Sequence, residues 1–145
     1  MIREFSTEDF QAVIELFQFN TPTYFHPDEQ HDLEQYLQNE REDYYVFLAG
    51  EKIVGAGGIN YLPKEKTAIL SWDLIHPNHQ RQGIGTKLVK HRLQRIKELT
   101  LFPRCIVRTS QLVYPFYQNL GFNLISKHPN YWADGYDMYF METTF

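Results

Sequence analysis

The stretch from Ile75 to Leu88 constrains the fold of this chain most, because an apolar run, a proline, two glycines and a helical pattern meet there. The apolar run, Thr67 to Ile75, predicts a strand. Pro77 ends that strand, because proline cannot donate a hydrogen bond to a sheet ladder. Apolar residues at three- and four-residue spacings then predict a helix running to about Leu99. Those residues are Leu88, Val89, Leu93 and Ile96.

Gly83 and Gly85 stand between the strand and the helix. Neither has a Cβ, so a ligand can approach the backbone closely there. Exposed N–H groups at a helix start, with the helix dipole behind them, bind anions, and Arg81 adds a mobile cation. The pattern therefore predicts a phosphate-binding loop. An ordinary strand–turn–helix with two glycines is the alternative, and neither the Rossmann nor the Walker glycine pattern is matched.

Composition bounds the class of protein. The 145 residues predict one domain, residues 1–145, and 43% hydrophobic content can build a core. The net charge of −4 argues against nucleic acid as the main partner. Cys105 is the only cysteine, which fits a reducing compartment. No apolar run approaches the ~20 residues of a membrane span, and the first residues do not resemble a signal peptide. A soluble, cytoplasmic protein without a membrane partner is expected.

Periodicity and turn signals predict a mixed α/β sheet of seven strands and four helices. The predicted strands are Met1–Phe5, Tyr44–Ala49, Ile53–Leu62, Thr67–Ile75, Arg104–Thr109, Phe122–Lys127 and Tyr136–Met141. The predicted helices begin at the Ser6 cap, at Asp28, after the glycine loop and at Leu112. A loop over residues 129–135 is expected before the last strand.

The glycine stretch resembles motif A of the GNAT family of acetyl-CoA-dependent N-acetyltransferases, Q/R-x-x-G-x-G/A, matched by Gln80, Gly83 and Gly85. The hydrophobic-x-Pro that usually precedes this motif is matched by Ile75 and Pro77. The order of the predicted elements is also the GNAT order, so the resemblance covers almost the whole chain. It implies the acyl-CoA N-acyltransferase fold, a mixed, mostly antiparallel sheet of about seven strands flanked by about four helices.

A second pattern, residues 110–122, resembles GNAT motif B, with Phe116, Tyr117, Gly121 and Phe122 in place. The family usually has asparagine where this chain has Ser110, and a serine makes fewer hydrogen bonds. The resemblance implies that Tyr117 donates a proton to the leaving thiolate. An aromatic core residue is the alternative for Tyr117, and Tyr114 on the same helix face is a rival.

The resemblance implies acetyl-CoA as co-substrate, with its pyrophosphate on the loop backbone and its pantetheine arm beside the fourth strand. The implied cofactor contacts are Asp73, Leu74, Ile75, Arg81, Gln82, Gly83, Ile84, Gly85, Thr86 and Ser110. The helix after the loop carries Lys87, Lys90, Arg92, Arg95 and Lys97. For most of these cations a solvated helix face is the expectation.

An N-acetyltransferase also needs a proton acceptor, because an alkyl amine has a pKa near ~10.4 and is mostly charged at neutral pH. Some GNAT enzymes use a glutamate early on the fourth strand, where this chain has Ile69 and Leu70. Asp73 is the acid available on that strand, and a structural pair with an arginine or a backbone group is its alternative role. No metal site is expected, because His76 and His79 lack a third ligand nearby.

The predicted function is an N-acetyltransferase that moves an acetyl group from acetyl-CoA to a primary amine, by direct attack in a ternary complex. A non-catalytic acyl-CoA-binding module and an unrelated mononucleotide-binding protein are the alternatives. The acceptor is a small-molecule or peptide amine, and a homodimer is possible. Candidate acceptor-site residues lie in two loops, and aromatic rings with an acid suit a cationic amine. They are Tyr24, Phe25, His26, Tyr131, Trp132 and Asp134.

Overall fold

The computed structural model describes all 145 residues and places seven strands in one mixed sheet, in the order β1-β2-β3-β4-β5-β7-β6. Every neighbouring pair is antiparallel except β4 and β5, which are parallel. The strands are β1 (Ile2–Glu4), β2 (Asp43–Ala49), β3 (Lys52–Leu62), β4 (Thr67–Ile75), β5 (Arg104–Thr109), β6 (Asn123–Ala133) and β7 (Tyr136–Thr144). The predicted fold class is confirmed.

Helices cover both faces of the sheet and create two cores. The helices are α1 (Phe10–Phe19), α2 (Gln30–Gln35), α3 (Ile84–Leu99) and α4 (Tyr114–Asn119), and a π-helical turn over Tyr36–Glu40 continues α2. On one face, α1 and α2 pack against β2, β3 and β4 through residues such as Phe17, Leu33 and Leu74. On the other face, α3 and α4 pack through residues such as Leu88 and Tyr117.

The two parallel strands separate partway along their length. Their pairing runs from Thr67 opposite Arg104 to Leu70 opposite Val107 and then stops, although β4 continues to Ile75. The β5-facing edge of residues 71–75 is therefore not covered by a neighbouring strand. This divergence opens a gap in the middle of the sheet.

A β-bulge in β4 decides which side chains face α3. The β3–β4 register shifts so that Gly57 lies opposite both Trp72 and Asp73, and Trp72 adopts a positive φ of 50°. Leu70 packs on the α3 face, so plain alternation would bring Trp72 to that face too. The extra residue reverses the alternation, as bulges do. Trp72 then packs against the α1–α2 core, and Asp73 faces α3.

Several predicted boundaries were wrong, including the end of β7, which lies at Thr144 and not at Met141. The loop expected over residues 129–135 is largely strand, because β6 continues to Ala133, where it pairs with Tyr136 of β7. The register shifts between His128 and Ala133, and Asn130 adopts a positive φ of 55°, so the turn signals of Pro129 and Asn130 produce a bulge within the strand and not a loop. Helix α4 begins at Tyr114 rather than Leu112, because the preceding residues form a turn whose N–H groups bond to the carbonyl of Ser110.

Candidate active site

A cleft of about 1060 Å³ opens at the gap between β4 and β5. Its walls come from the segments around α1 and α2, from β3, β4 and β5, and from the glycine loop and α4. The predicted site residues that line it are Asp73, Ile75, Arg81, Gly83, Gly85, Thr86, Ser110 and Tyr117. Of the other three, Leu74 and Ile84 have buried side chains and Gln82 is exposed. Both sequence motifs therefore meet at one cavity.

The glycine loop presents backbone N–H groups to this cleft. Arg81 and Gly83 adopt positive φ values of 64° and 80°, and Gly83 is the N-cap of α3. The N–H of Lys87 bonds to the Gly83 carbonyl at 3.0 Å, which closes the first helical turn. The three N–H groups before Lys87 lie in that first turn, where the helix offers no carbonyl acceptor. Together with the helix dipole they can hold a phosphate.

Gly85 has a packing reason to be glycine. A Cβ placed there would lie 3.1 Å from the ring of Phe116, at the start of α4. The first turn of α3 and the first turn of α4 thus contact each other through a residue without a side chain. This contact fixes the glycine loop relative to the helix that carries Tyr117.

The free edge of β4 offers one backbone N–H to a ligand. The N–H of His76 bonds to the Val54 carbonyl at 2.8 Å, so strand alternation directs the backbone groups of Ile75 away from β3 and toward the gap. The Ile75 carbonyl accepts a bond from the Asn20 side chain at 3.0 Å. By the same alternation, the backbone groups of Leu74 face β3. Ile75 is therefore the residue whose N–H points into the cleft.

Asp73, Arg92 and Tyr117 form a connected network at the cleft floor. Nη1 of Arg92 lies 2.5 Å from Oδ1 of Asp73 and 3.0 Å from the carbonyl of Gly58. The hydroxyl of Tyr117 donates to Oδ2 of the same carboxylate. The structural pair considered for Asp73 is thus present, and both of its oxygens are engaged.

The expectation of a solvated face was wrong for Arg92, whose exposed fraction is 1%. Arg92 stands four residues after Leu88 and four before Ile96, so it occupies the apolar stripe of α3. That position was a signal in the sequence that its charge required a buried partner. Lys90, Arg95 and Lys97 are exposed as expected, and Lys87 beside the loop is exposed too.

Burial fixes the protonation state of two groups. The pKa of the Tyr117 phenol is raised well above its usual value, first because the side chain is buried and then because the Asp73 carboxylate is adjacent. Burial also raises the pKa of the Cys105 thiol to about 12. Tyr117 is therefore protonated at neutral pH and able to donate a proton, while Cys105 is a poor nucleophile.

The other half of the cleft combines aromatic rings with a buried acid. Phe25 stacks on Trp72 with 5.9 Å between ring centroids, and Tyr36 lies 6.4 Å from the same indole. Glu29 lines this half and is only 9% exposed. One of its oxygens accepts the N–H of His26 at 2.9 Å, and burial raises the pKa of the carboxyl. Glu29 was missed because it belongs to a helix start, where acids are common.

The two predicted acceptor loops contribute unequally. Tyr24, Phe25 and Trp132 line the cleft. His26 instead caps a helical turn through Nδ1, and Tyr131 and Asp134 are exposed outside the cleft. The acid expected from Asp134 is thus replaced by Glu29.

No group of three or more His, Cys, Asp or Glu side chains lies close enough together to hold a metal ion. None of the helices combines the length and apolar character that a membrane crossing would require.

Comparison with solved structures supports the fold. The ribosomal-protein-S18-alanine N-acetyltransferase from Escherichia coli superimposes with a TM-score of 0.82 at 19% identity, over 99% of this chain and 92% of that one. An IAA acetyltransferase from Bacillus cereus gives 0.78 at 19%, over 100% and 99%. An aminoglycoside 6'-N-acetyltransferase complexed with coenzyme A gives 0.80 at 15%, over 99% and 96%.

Comparison with curated protein sequences finds no match. The family model described as "Acetyltransferase (GNAT) family" matches residues 10–122. That range includes α1, the split strands, the glycine loop and Tyr117, and it covers most of the chain. The chain therefore belongs to the GNAT family of acetyltransferases.

Proposed function

We propose that this protein is an acetyl-CoA-dependent N-acetyltransferase that acts on a primary amine. The observation that carries the proposal is the convergence of the glycine loop, the free edge of β4 and the Tyr117 hydroxyl on one cleft, at the point where β4 and β5 separate. An acyl-CoA needs an anion site, an edge for its amide arm and a proton donor near its sulfur. All three are within this cavity.

The cofactor half of the cleft is assigned to the residues around the glycine loop. The N–H groups of Ile84, Gly85 and Thr86 would hold the pyrophosphate, with Arg81 as an added cation. The amide arm would run along the free edge of β4 beside Asp73, Leu74 and Ile75, as an added strand would. Gln82 and Ser110 are further candidates, although the Ser110 hydroxyl accepts the Leu112 N–H at 3.2 Å.

The proposed reaction forms a C–N bond and breaks a C–S bond. The neutral amine attacks the thioester carbonyl, whose developing negative charge would be stabilised by the N–H of Ile75. Tyr117 gives its proton to the leaving sulfur, and Asp73 receives the surplus proton of the new amide and returns it to Tyr117. One proton therefore passes from nitrogen to sulfur, and both side chains end as they began.

The charges that line the cleft support a cationic acceptor. The walls contributed by residues 20–62 carry Glu29, Glu40 and Glu42 and no lysine or arginine. The walls from residue 79 onward carry Arg81 and Arg108, together with Arg92, which is already paired. One half thus suits an anionic cofactor. The acidic half, with the Phe25–Trp72 stack, suits an ammonium group through charge and cation–π contact.

The test is thiol release from acetyl-CoA in the presence of an alkyl monoamine, a diamine, an amino sugar and a peptide with a free N-terminus. The expected result is release above the amine-free blank, fastest for acceptors with a second positive charge. Acetyl-CoA binding without release for any amine would favour the non-catalytic acyl-CoA module. Both oxygens of Asp73 already accept hydrogen bonds, and this observation favours the non-catalytic module as the second candidate.

A further inference from the structure

One charged side chain beneath the cleft has no direct part in the proposed reaction. Arg92 is buried to 1% exposure in the middle of α3. Its Nη1 bonds to Asp73 and to the Gly58 carbonyl, and its Nε bonds to the Leu88 carbonyl at 3.1 Å. The guanidinium is therefore held by its own helix, by β3 and by β4 at once.

Stability alone does not account for this ion pair. Taking a guanidinium out of water is unfavourable, and apolar side chains of similar volume often stabilise a fold as well or better. The neighbours of Arg92 along its stripe, Leu88 and Ile96, are apolar and fully buried. An apolar residue would thus suit this position of α3, so the presence of a charged residue there needs an explanation other than stability.

The geometry gives that reason. Arg92 occupies Oδ1 of Asp73, which leaves Oδ2 turned toward the Tyr117 hydroxyl. The bulge at Trp72 brings the carboxylate to this face, and the absence of a Cβ at Gly57 makes room for the pair. Without the guanidinium, nothing would hold Oδ1 of Asp73 against α3. The carboxylate could then rotate, and Oδ2 would no longer be fixed opposite the Tyr117 hydroxyl.

We propose that Arg92 is a positioning residue for acetyl transfer, which fixes the orientation of Asp73 so that the Tyr117 hydroxyl is held at the cleft. The proposal rests on the proposed function. The ionisable groups close enough to Asp73 to interact with its charge are Arg92 on α3, Tyr117 on α4, Tyr44 on β2, Tyr36 in the π-helical turn and Cys105 on β5. Arg92 is the one cation among them.

The experiment is a double-mutant cycle of the wild type, Arg92→Lys, Tyr117→Phe and the double variant. Turnover number, the Kd of acetyl-CoA and Tm are measured for each protein. We expect Arg92→Lys to lower kcat roughly tenfold or more while the acetyl-CoA Kd stays within about twofold. In the Tyr117→Phe background, Arg92→Lys should alter kcat by less than about twofold, because the Tyr117 hydroxyl, through which Arg92 is proposed to act, is absent.

A variant that lacks both charges, Asp73→Asn with Arg92→Gln, is a control that should remain folded, since no unpaired charge is left buried. It should be as slow as Tyr117→Phe.

Equal losses of kcat in both backgrounds would overturn the proposal. So would a lower Tm with unchanged kcat in Arg92→Lys, or wild-type turnover in the charge-free double variant, because the pair would then be structural only. A wild type that neither binds acetyl-CoA nor releases thiol with any amine is a different outcome. It would refute the proposed function itself, and the role of Arg92 in it.

Discussion

Tyr117 and Asp73 are separated by 44 residues in the chain and share one hydrogen bond at the cleft. The phenol is buried beside an anion, and both conditions favour its protonated form, so its pKa lies well above the usual value. Tyr117 is therefore protonated throughout the neutral range, which is the state that the proposed proton donor requires. At the residue scale, the proposed chemistry depends on the position of this one proton.

Removing the Tyr117 hydroxyl tests that view. Tyr117→Phe should lower kcat by about 100-fold, within the usual range for loss of a general acid. The acetyl-CoA Kd should change little, because the hydroxyl bonds to Asp73 rather than to the loop that would bind phosphate. Tyr114→Phe is the matched control on the same helix. Equal turnover in Tyr117→Phe and the wild type would remove Tyr117 from the mechanism.

Glu29 offers a second test at the residue scale. Its pKa is raised by burial, so its contribution to folding favours low pH and is lost as the pH rises through its folded-state pKa. Glu29→Gln keeps an oxygen for the His26 N–H but cannot ionise. The variant should therefore gain Tm relative to the wild type as the pH rises from acid to neutral.

The same substitution should weaken the acceptor site. We expect a higher KM for cationic amines in Glu29→Gln and an unchanged Kd for acetyl-CoA, measured by thiol release and by calorimetry. Glu34→Gln, on α2 and outside the cleft, is the matched control. An unchanged amine KM in Glu29→Gln would argue against a role for this carboxylate in acceptor binding.

Among the secondary-structure elements, the β3–β4 pair controls the site through its bulge. A Cβ at Gly57 would lie 2.7 Å from Oδ1 of Asp73 and 2.8 Å from Cζ of Arg92, so the ion pair has to shift in Gly57→Ala. A Cβ at Gly55, on the same strand face, would press on the apolar side chains of Ile84 and Leu88 instead, at 3.0 and 3.1 Å.

Both alanine variants should therefore lose stability, but only Gly57→Ala should lose turnover out of proportion to its folded fraction. Thermal melts and kcat corrected for folded protein separate the two effects. Equal residual kcat in Gly55→Ala and Gly57→Ala would show that the shape of the bulge does not matter for catalysis.

Local sequence patterns correctly predicted those elements whose structure depends only on neighbouring residues. Pro77, the paired glycines and the spacing of Leu88 and Ile96 fix a strand, a turn and a helix without help from the rest of the chain. The extension of β6 to Ala133 depends on its partner strand, and the bulge depends on a register shift opposite Gly57. Neither is encoded in a local period.

The site was predictable in its parts and not in its connections. Motif spacing singled out the loop and Tyr117 as candidates, and the presence of an acid on an apolar strand drew attention to Asp73. The ion pair between Asp73 and Arg92 could not be predicted, because it depends on how α3 crosses β4 in three dimensions. To predict Glu29 from the sequence, one would have to know which helix start faces the cleft. Arg92 did leave a signal in the sequence, as a charged residue in the apolar stripe of α3.

For the molecule as a whole, the split sheet is the central feature. The parallel pairing of β4 and β5 ends at Leu70. One wall of the cleft beyond it carries acids that form no ion pair, and the other carries arginines that form none. Under the proposed function, this distribution of charge would place an anionic cofactor and a cationic acceptor on opposite sides of a shared opening. The central claim is that the α3 loop binds the diphosphate of an acyl-CoA at this opening.

The most direct test is the Kd of acetyl-CoA, measured by calorimetry for the wild type, Gly83→Glu and Gly50→Glu. Both glycines have positive φ and no neighbouring atom within 4 Å, so both substitutions strain the backbone alike. Only Gly83 lies at the proposed phosphate site. Binding should be retained in Gly50→Glu and weakened by roughly a hundredfold or more in Gly83→Glu. Equal affinity in all three proteins, or no binding by the wild type, would contradict the account.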